Sequence, residues 1–591
     1  MDYISKLFKT VFFRYFINKI KASILSLTSL TLFLAVIIFI NGSPFYFGDA
    51  YGYFHTAKTL AVQNTLITST IPEYTPYAAH GVVIRDDGMA VSVYPSGVSI
   101  LWYPFLKVAS FFDQGTMYND YFKAFNGHSL ADGLAVLAAS GFYTFLAIIL
   151  LKKLLMDKGF SKKIAHLSII GAYISTYALS YFTQQPGYSH TYEIFAFSLF
   201  LVYLERFRAK QNKTNALVIG LSASLLISIR PVDALLFIPI AFVLFKYWRY
   251  LPWFILGVIP FFVYTMSYNF VSYGNVFSSG YYVFGGQTFN FDQFRLWEIL
   301  FSDFRGIFFL SPAIIIAFIT IWKNYKDKWM MFVYGLPPLF IIVAISFWPY
   351  WWAGDSIGQR FFIVFVPIIA LGLAHLFNND LRSGKKLWTW GVFILIAYSL
   401  FVALLYRFSP TDRLVEKGSA KANYYATQKV PVENMASPFD LINYQVSLVK
   451  KSNSLGEYFN NLSSGFNQGR SLSLLLFGAT DPIVIIEEPK DKSFYLYIVP
   501  DTSRAKKEGD LRIYFKGKNE YIVLLNIDFS KNSRVLIDCT IGSCLSDVGY
   551  KILQLDQNET PSKYIKVSND FEVCVDATIK VNFVNKKLPA Y

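Results

Sequence analysis

Apolar residues along this chain gather into long blocks separated by polar segments. The blocks fall at 22–41, 129–151, 164–182, 189–204, 215–229, 231–245, 252–268, 306–322, 329–347, 361–377 and 387–406. Each lies near the roughly 20 residues that a helix needs to cross a hydrocarbon core of about 30 Å. The pattern predicts about eleven transmembrane helices. A further apolar stretch, YPSGVSILWYPFLKVASFF at 94–112, carries two prolines, an internal lysine and aromatic residues at its rim. Whether it spans decides the orientation of everything after it.

Charge decides the point, because short cytoplasmic loops are rich in Lys and Arg. If 94–112 does not span, the N-terminus and the loops on its side hold 22 basic residues, against 8 in the longer segments opposite, up to Arg360. The stretch therefore reads as an interfacial helix on the outer leaflet. The N-terminus is then cytoplasmic and the C-terminal part extracytoplasmic. The first block is too long for a usual signal h-region and ends in NGSPF without a small-x-small cleavage site, which predicts a retained helix. Composition agrees: 54% of residues are hydrophobic and only 16% charged, unlike a soluble domain. The net charge of +15 is a topology signal, and no nucleic-acid partner is expected.

From about residue 408 the pattern changes to short runs with alternating polarity and turn residues between them. Nine such runs, from DPIVIIEE to KVNFVN, predict an antiparallel β-sandwich-like domain. The expected organisation is a helical membrane domain at 1–406 with a large first outer loop at 42–128, a linker at 407–475 and a β-rich extracytoplasmic domain at 476–591. All three cysteines, Cys539, Cys544 and Cys574, lie in that last part, and one pair, Cys539 with Cys544 or with Cys574, can close in an oxidising space. No repeat of the transporter kind and no nucleotide-binding loop is present.

The inner loops are basic and otherwise plain, whereas unusual polar residues cluster in the outer ones. The first outer loop opens with SPFYFGDAYGYFHTAKTLA, in which Asp49 stands as either a helix-capping acid or a catalytic acid, and His55, Lys58 and Tyr94 follow. Later outer segments add His190, Arg230, Asp355 and Arg360. Arg230 and Arg360 sit where spans begin, a position that suits interfacial snorkelling or gripping a phosphate. Asp355 in GDSIGQR suits a loop turn, or orientation of Arg360 or of a sugar hydroxyl. Asp86 and Asp87 in RDDGMA read as turn residues. His190 and Glu193, three apart, make a weak metal signal; no metal or other cofactor is expected to be required. Together the outer segments predict an outward-facing site at membrane level.

The order of GDAYGYFHTAKTLA after one span, the proline-bearing YPSGVSILWYPFLKVASFF, then QPGYSH, RP, SYNFVSYGNVFSSGYY and GDSIGQRFFIVFVPIIAL resembles the GT-C superfamily of polytopic glycosyltransferases, which includes protein O-mannosyltransferases and lipid A aminoarabinose transferases. The resemblance covers roughly residues 1 to 406. It implies an inverting transfer of a sugar from a polyprenyl-phosphate donor to a hydroxyl of a glycan, lipid or protein outside the cytoplasm, in a multi-pass protein of a bacterial inner membrane. It also implies Asp49 as general base and Arg360 as the residue that stabilises the departing polyprenyl phosphate. FGDAYG lacks the second acid that some relatives carry beside the first, so a two-acid or metal role does not transfer. A transporter or flippase, or a polymerase or ligase of lipid-linked glycans, is the alternative class.

Overall fold

The computed structural model describes residues 37, 42, 48–68, 81–112, 129–284, 286–323, 325–354, 357–383, 387–407, 421, 424, 430 and 435–451, and the backbone of nine strands between 483 and 582. The expected first span, Asp355 and the Cys539/Cys544/Cys574 pairing fall outside the described residues or side chains.

Among the described residues, five helices are long and apolar enough to cross a membrane: Leu130–Asp157, Pro231–Tyr273, Lys328–Ser346, Arg360–Asp380 and Leu387–Arg407. Of the other expected spans, 189–204 is a continuous 20-residue helix, His190–Ala209, and 215–229 a 17-residue one, Lys213–Ile229; two more are broken, for local reasons. The block at 164–182 divides into Lys162–Ser175 and Ala178–Thr183 at Tyr177, whose φ of 60° lies in the left-handed region. The block at 306–322 divides into Ile307–Leu310 and Pro312–Trp322, because the residue before a proline is pushed out of the helical region. The two breaks meet: the Tyr177 hydroxyl donates to the Leu310 carbonyl at 2.5 Å, which serves an acceptor at the end of the short helix. The blocks at 231–245 and 252–268 run on as one stretch with a kink at Tyr247.

Gly97–Ala109 is a 13-residue helix. At 1.5 Å per residue it measures about 20 Å, short of a hydrocarbon core of about 30 Å. It packs against Asp49–Gln63 and Lys213–Ile229. Before it, Val82–Ile84 and Ala90–Ser92 form an antiparallel hairpin. Arg85-Asp86-Asp87-Gly88 makes its turn, with the Asp87 carboxylate accepting from the Met89 amide, so Asp86 and Asp87 are turn residues.

Arg360–Asp380 is the most enclosed of the long helices. It begins with the 3-10 turn Arg360–Phe365 and packs against Lys162–Ser175, Pro312–Trp322 and Leu387–Arg407. Further on, Pro438–Lys451 opens with a reciprocal cap, Ser437 and Asp440 each bonding the other's backbone amide, as a capping box does.

All nine expected β runs contain strands. They pair as Ser493–Ile498, Val535–Thr540, Lys551–Gln554, Phe571–Cys574 and Tyr564–Ser568 in one sheet, and Ile579–Asn582, Ile522–Asp528, Glu508–Phe515 and Ile483–Ile486 in another. Pairing is antiparallel except between Ile483–Ile486 and Glu508–Phe515 and between Lys551–Gln554 and Phe571–Cys574, which run parallel. The purely antiparallel expectation is corrected at those two pairs, which need crossover connections that strand patterning does not reveal.

Candidate active site

Asp49 is the first residue of the helix Asp49–Gln63, where a negative charge suits the helix dipole. Gly48 precedes it at φ 56°, and a Cβ there would come within 3.0 Å of the Tyr188 hydroxyl. Glycine is thus required both by the turn and by the close approach. The carboxylate reaches two distant parts of the chain: Tyr94 Oη donates to Oδ1 at 2.9 Å and Arg360 Nη1 to Oδ2 at 3.0 Å. One turn on, Gly52 leaves room for the Tyr94 ring, with which a Cβ would collide. Tyr53, also on that face, lies 5.2 Å from Tyr94 between ring centroids.

The Arg360 guanidinium lies 5.4 Å over the Tyr188 ring, a cation–π distance. Tyr188 stacks on His190, which also meets Tyr181 edge-on at 5.1 Å. His190 Nδ1 donates to Glu193 Oε2 at 3.3 Å, Arg230 Nη1 to the same oxygen at 3.4 Å, and Ser189 Oγ to Oε1 at 2.8 Å. Arg230 in turn lies 4.9 Å over the ring of Phe361, the neighbour of Arg360. Two arginine–carboxylate pairs therefore stand side by side, joined through aromatic rings. Tyr281 meets Tyr94 edge-on at 5.7 Å and interacts electrostatically with Asp49, Arg360, Arg230 and Glu193. Asp233 is buried nearby, and its Oδ2 has no hydrogen-bond partner among the described residues.

The segment before Arg360 is pinned from several sides. The buried Arg305 donates through Nε to the Trp352 carbonyl at 2.8 Å and through Nη2 to the Gly354 carbonyl at 3.1 Å. Gln359 Nε2 donates to the Trp351 carbonyl at 3.0 Å, and Tyr181 Oη to the Ile357 carbonyl at 3.1 Å. Side chains that bind carbonyls on both sides of a turn hold its backbone in one geometry, and so aim Arg360.

Burial pushes the Tyr53, Tyr94 and Tyr281 phenols well above their usual range, and the Asp49 charge pushes each further. They act as neutral hydroxyl donors. Tyr94 can orient the Asp49 carboxylate but does not compete with it as a base. An ionised carboxylate has about four lone-pair directions, and Tyr94 and Arg360 each take one, on different oxygens.

Asp49, Tyr94, His190, Arg230 and Arg360 thus come together. His55 and Lys58 are placed differently. The buried His55 donates from Nε2 to the Ala90 carbonyl at 3.2 Å, fastening the helix to the hairpin, and burial holds its imidazole below the usual range. Lys58 Nζ pairs with Asp132 at 2.6 Å. Both residues lie toward the far side of the helix from Asp49, six and nine positions on at about 100° per residue. Sequence reasoning did not single out Tyr188, Tyr281 or Arg305 as site residues; nothing local separates them from the many other aromatic and basic residues of the outer segments. Among the described residues there is no group of three or more His, Cys, Asp or Glu placed to hold a metal ion.

No protein-family description matches the chain, and no curated protein does. Among solved structures it is similar to the archaeal oligosaccharyltransferase AglB from Archaeoglobus fulgidus, determined in complex with an inhibitory peptide and a dolichol-phosphate. The identity is 12% and the TM-score 0.32, over 75% of this chain and 60% of that one. The chain thus spans about three fifths of that protein's length, and a likeness at that level supports no assignment of fold or site.

Proposed function

We propose that the protein is a membrane glycosyltransferase that moves a sugar from a polyprenyl-phosphate carrier to an acceptor hydroxyl on the outer face of a bacterial inner membrane, with inversion. The observation that carries the reading is the Asp49–Arg360 pair, made between residues 311 positions apart and framed by Tyr94 and Tyr188. A base and a cation in contact suit a displacement in which one group loses a proton as another gains negative charge. Asp49 takes the acceptor proton, the acceptor oxygen bonds to the anomeric carbon, and the bond from that carbon to the phosphate oxygen breaks with its electron pair on the phosphate.

The distances allow this. A hydrogen bond of about 2.7 Å followed by an approach of about 3 Å puts the anomeric carbon roughly 6 Å from Asp49. The phosphate lies beyond it, so Arg360 would meet the phosphate through N–H groups other than the one that holds Asp49. A guanidinium, with five donors in a planar fork, can serve both. Arg230, braced by Glu193, supplies the second cation. Tyr281, half-buried beside both pairs, offers a ring and a hydroxyl to a sugar.

The test is turnover of a panel of polyprenyl-phosphate sugars by purified protein, read as released polyprenyl phosphate. Wild type should turn over one of them, and Asp49→Asn should lose about 10²- to 10⁴-fold in kcat, the usual worth of a general base. An unchanged kcat would remove the base from Asp49.

A further inference from the structure

The segment between the helices Leu251–Tyr273 and Ile307–Leu310 sorts its aromatic side chains onto two faces. Tyr281 turns inward to the site. Facing outward, Phe277 is 82% exposed, Phe291 74% and Trp297 70%. The outward rings continue one another: Phe289 is 5.3 Å from Trp348, Phe291 and Phe294 are 5.3 and 4.9 Å from Phe347, Trp297 is 4.3 Å from Phe301, and Phe301 is 4.5 Å from Phe308. Between Gly274 and Leu296 the only charged residues are Asp292 and Arg295, and Arg295 is paired with Glu298 at 3.7 Å. A soluble surface rarely carries so large an apolar patch.

Two features fix where this plateau stands. Asn290 and Arg295 donate their backbone amides to the Phe347 and Ser346 carbonyls at 2.8 and 2.7 Å, and Ser346 ends a helix long and apolar enough to cross a membrane. The plateau is thus strapped to the end of a span. On its other margin Phe308 leads into an apolar cavity of about 580 Å³, lined also by Leu300, Ile315, Ile319 and Trp322, along the flank of Pro312–Trp322.

We infer that the 277–297 plateau is a lipid-contacting surface, seated in the boundary between headgroups and acyl chains at the end of the bilayer nearest the site. Continuity with the apolar flanks of the helices and the near absence of charge fit a leaflet rather than another protein. Side chains at such a boundary lie about 5–10 Å into the headgroup and acyl region, and aromatic residues favour that depth. The inference stands apart from the proposed reaction and does not depend on it.

The test uses full-length protein with Cys539, Cys544 and Cys574 replaced by serine. Single cysteines are introduced by Phe291→Cys and Trp297→Cys, with Asp86→Cys at the hairpin tip as an aqueous reference, each carrying a bimane fluorophore in phosphatidylcholine–phosphatidylglycerol vesicles. Labels at 291 and 297 should lose fluorescence in vesicles of brominated lipid and keep it in iodide, and the label at 86 should do the reverse. Iodide quenching at 291 and 297 with no response to brominated lipid would overturn the inference, and would mark the plateau as a docking face for another macromolecule. Should the cysteine proteins not fold, unmodified protein is irradiated in vesicles containing a lipid with a diazirine in its upper acyl chain. Adducts within 277–297 support the inference, and their absence beside adducts elsewhere refutes it.

Discussion

Removing Arg360 separates what the residue does for stability from what it does for chemistry. Its side chain is 16% exposed and that of Asp49 21%, between an exposed pair, worth about 0.2–1 kcal/mol, and a fully buried one, whose breaking costs about 3–5 kcal/mol. Arg360→Ala should therefore destabilise the protein by about 1–3 kcal/mol, read as a lower thermal midpoint in detergent. If the guanidinium also meets the departing phosphate, a further 2–4 kcal/mol or so of transition-state stabilisation is lost. At about 1.36 kcal/mol per tenfold, kcat/KM falls about 30- to 900-fold. Arg360→Lys divides the two effects. A single ammonium can keep the contact with Asp49 but cannot reach across to a phosphate as a planar fork does, so the thermal midpoint should stay near wild type while kcat falls. The assay is release of polyprenyl phosphate, followed at saturating and at limiting donor. Wild-type kcat/KM in a folded Arg360→Ala protein would refute the assignment.

Three other outcomes follow from the same geometry. Tyr94→Phe removes one hydrogen bond from Asp49 and should cost about 0.5–1.5 kcal/mol in stability, with a lower kcat and an unaltered pH profile below pH 9, because the phenol stays neutral. Lys58→Met removes the ammonium that pairs with Asp132, whose side chain is only 2% exposed, and should lower the thermal midpoint by the equivalent of about 1–3 kcal/mol; a changed donor KM with no loss of stability would instead place Lys58 in substrate binding. His55 titrates below its unfolded value, so the unfolded chain binds more protons as pH drops through about 6.5, and the stability that His55 contributes is present above that pH and lost below it. His55→Gln should flatten part of the fall in thermal midpoint between pH 7.5 and 5, and an identical slope would contradict this.

The strands after residue 483 were legible because a two-residue alternation is local and turn residues bracket it. The helices were legible in position but not in continuity. Tyr177 takes a left-handed conformation that its own type disfavours, and it is held by Leu310, 133 positions away; no window of sequence contains both. Asp49 and Arg360 could each be nominated from their places beside apolar blocks, yet their pairing across 311 positions could not be read. Part of the site was more legible than it was taken to be. Helical phase alone sets Gly52 and Tyr53 on the side of Asp49 and carries Lys58 to the opposite side.

The long reach of that ion pair bears on how the protein is made. Asp49 leaves the ribosome well before Arg360, and at about 5–20 residues per second the interval is about 15–60 s. Throughout it the carboxylate must be served by water, Tyr94 or the start of its own helix. The contact is thus a late closure, and a nascent chain that stalls before residue 360 holds the acid of the site without the cation that completes it.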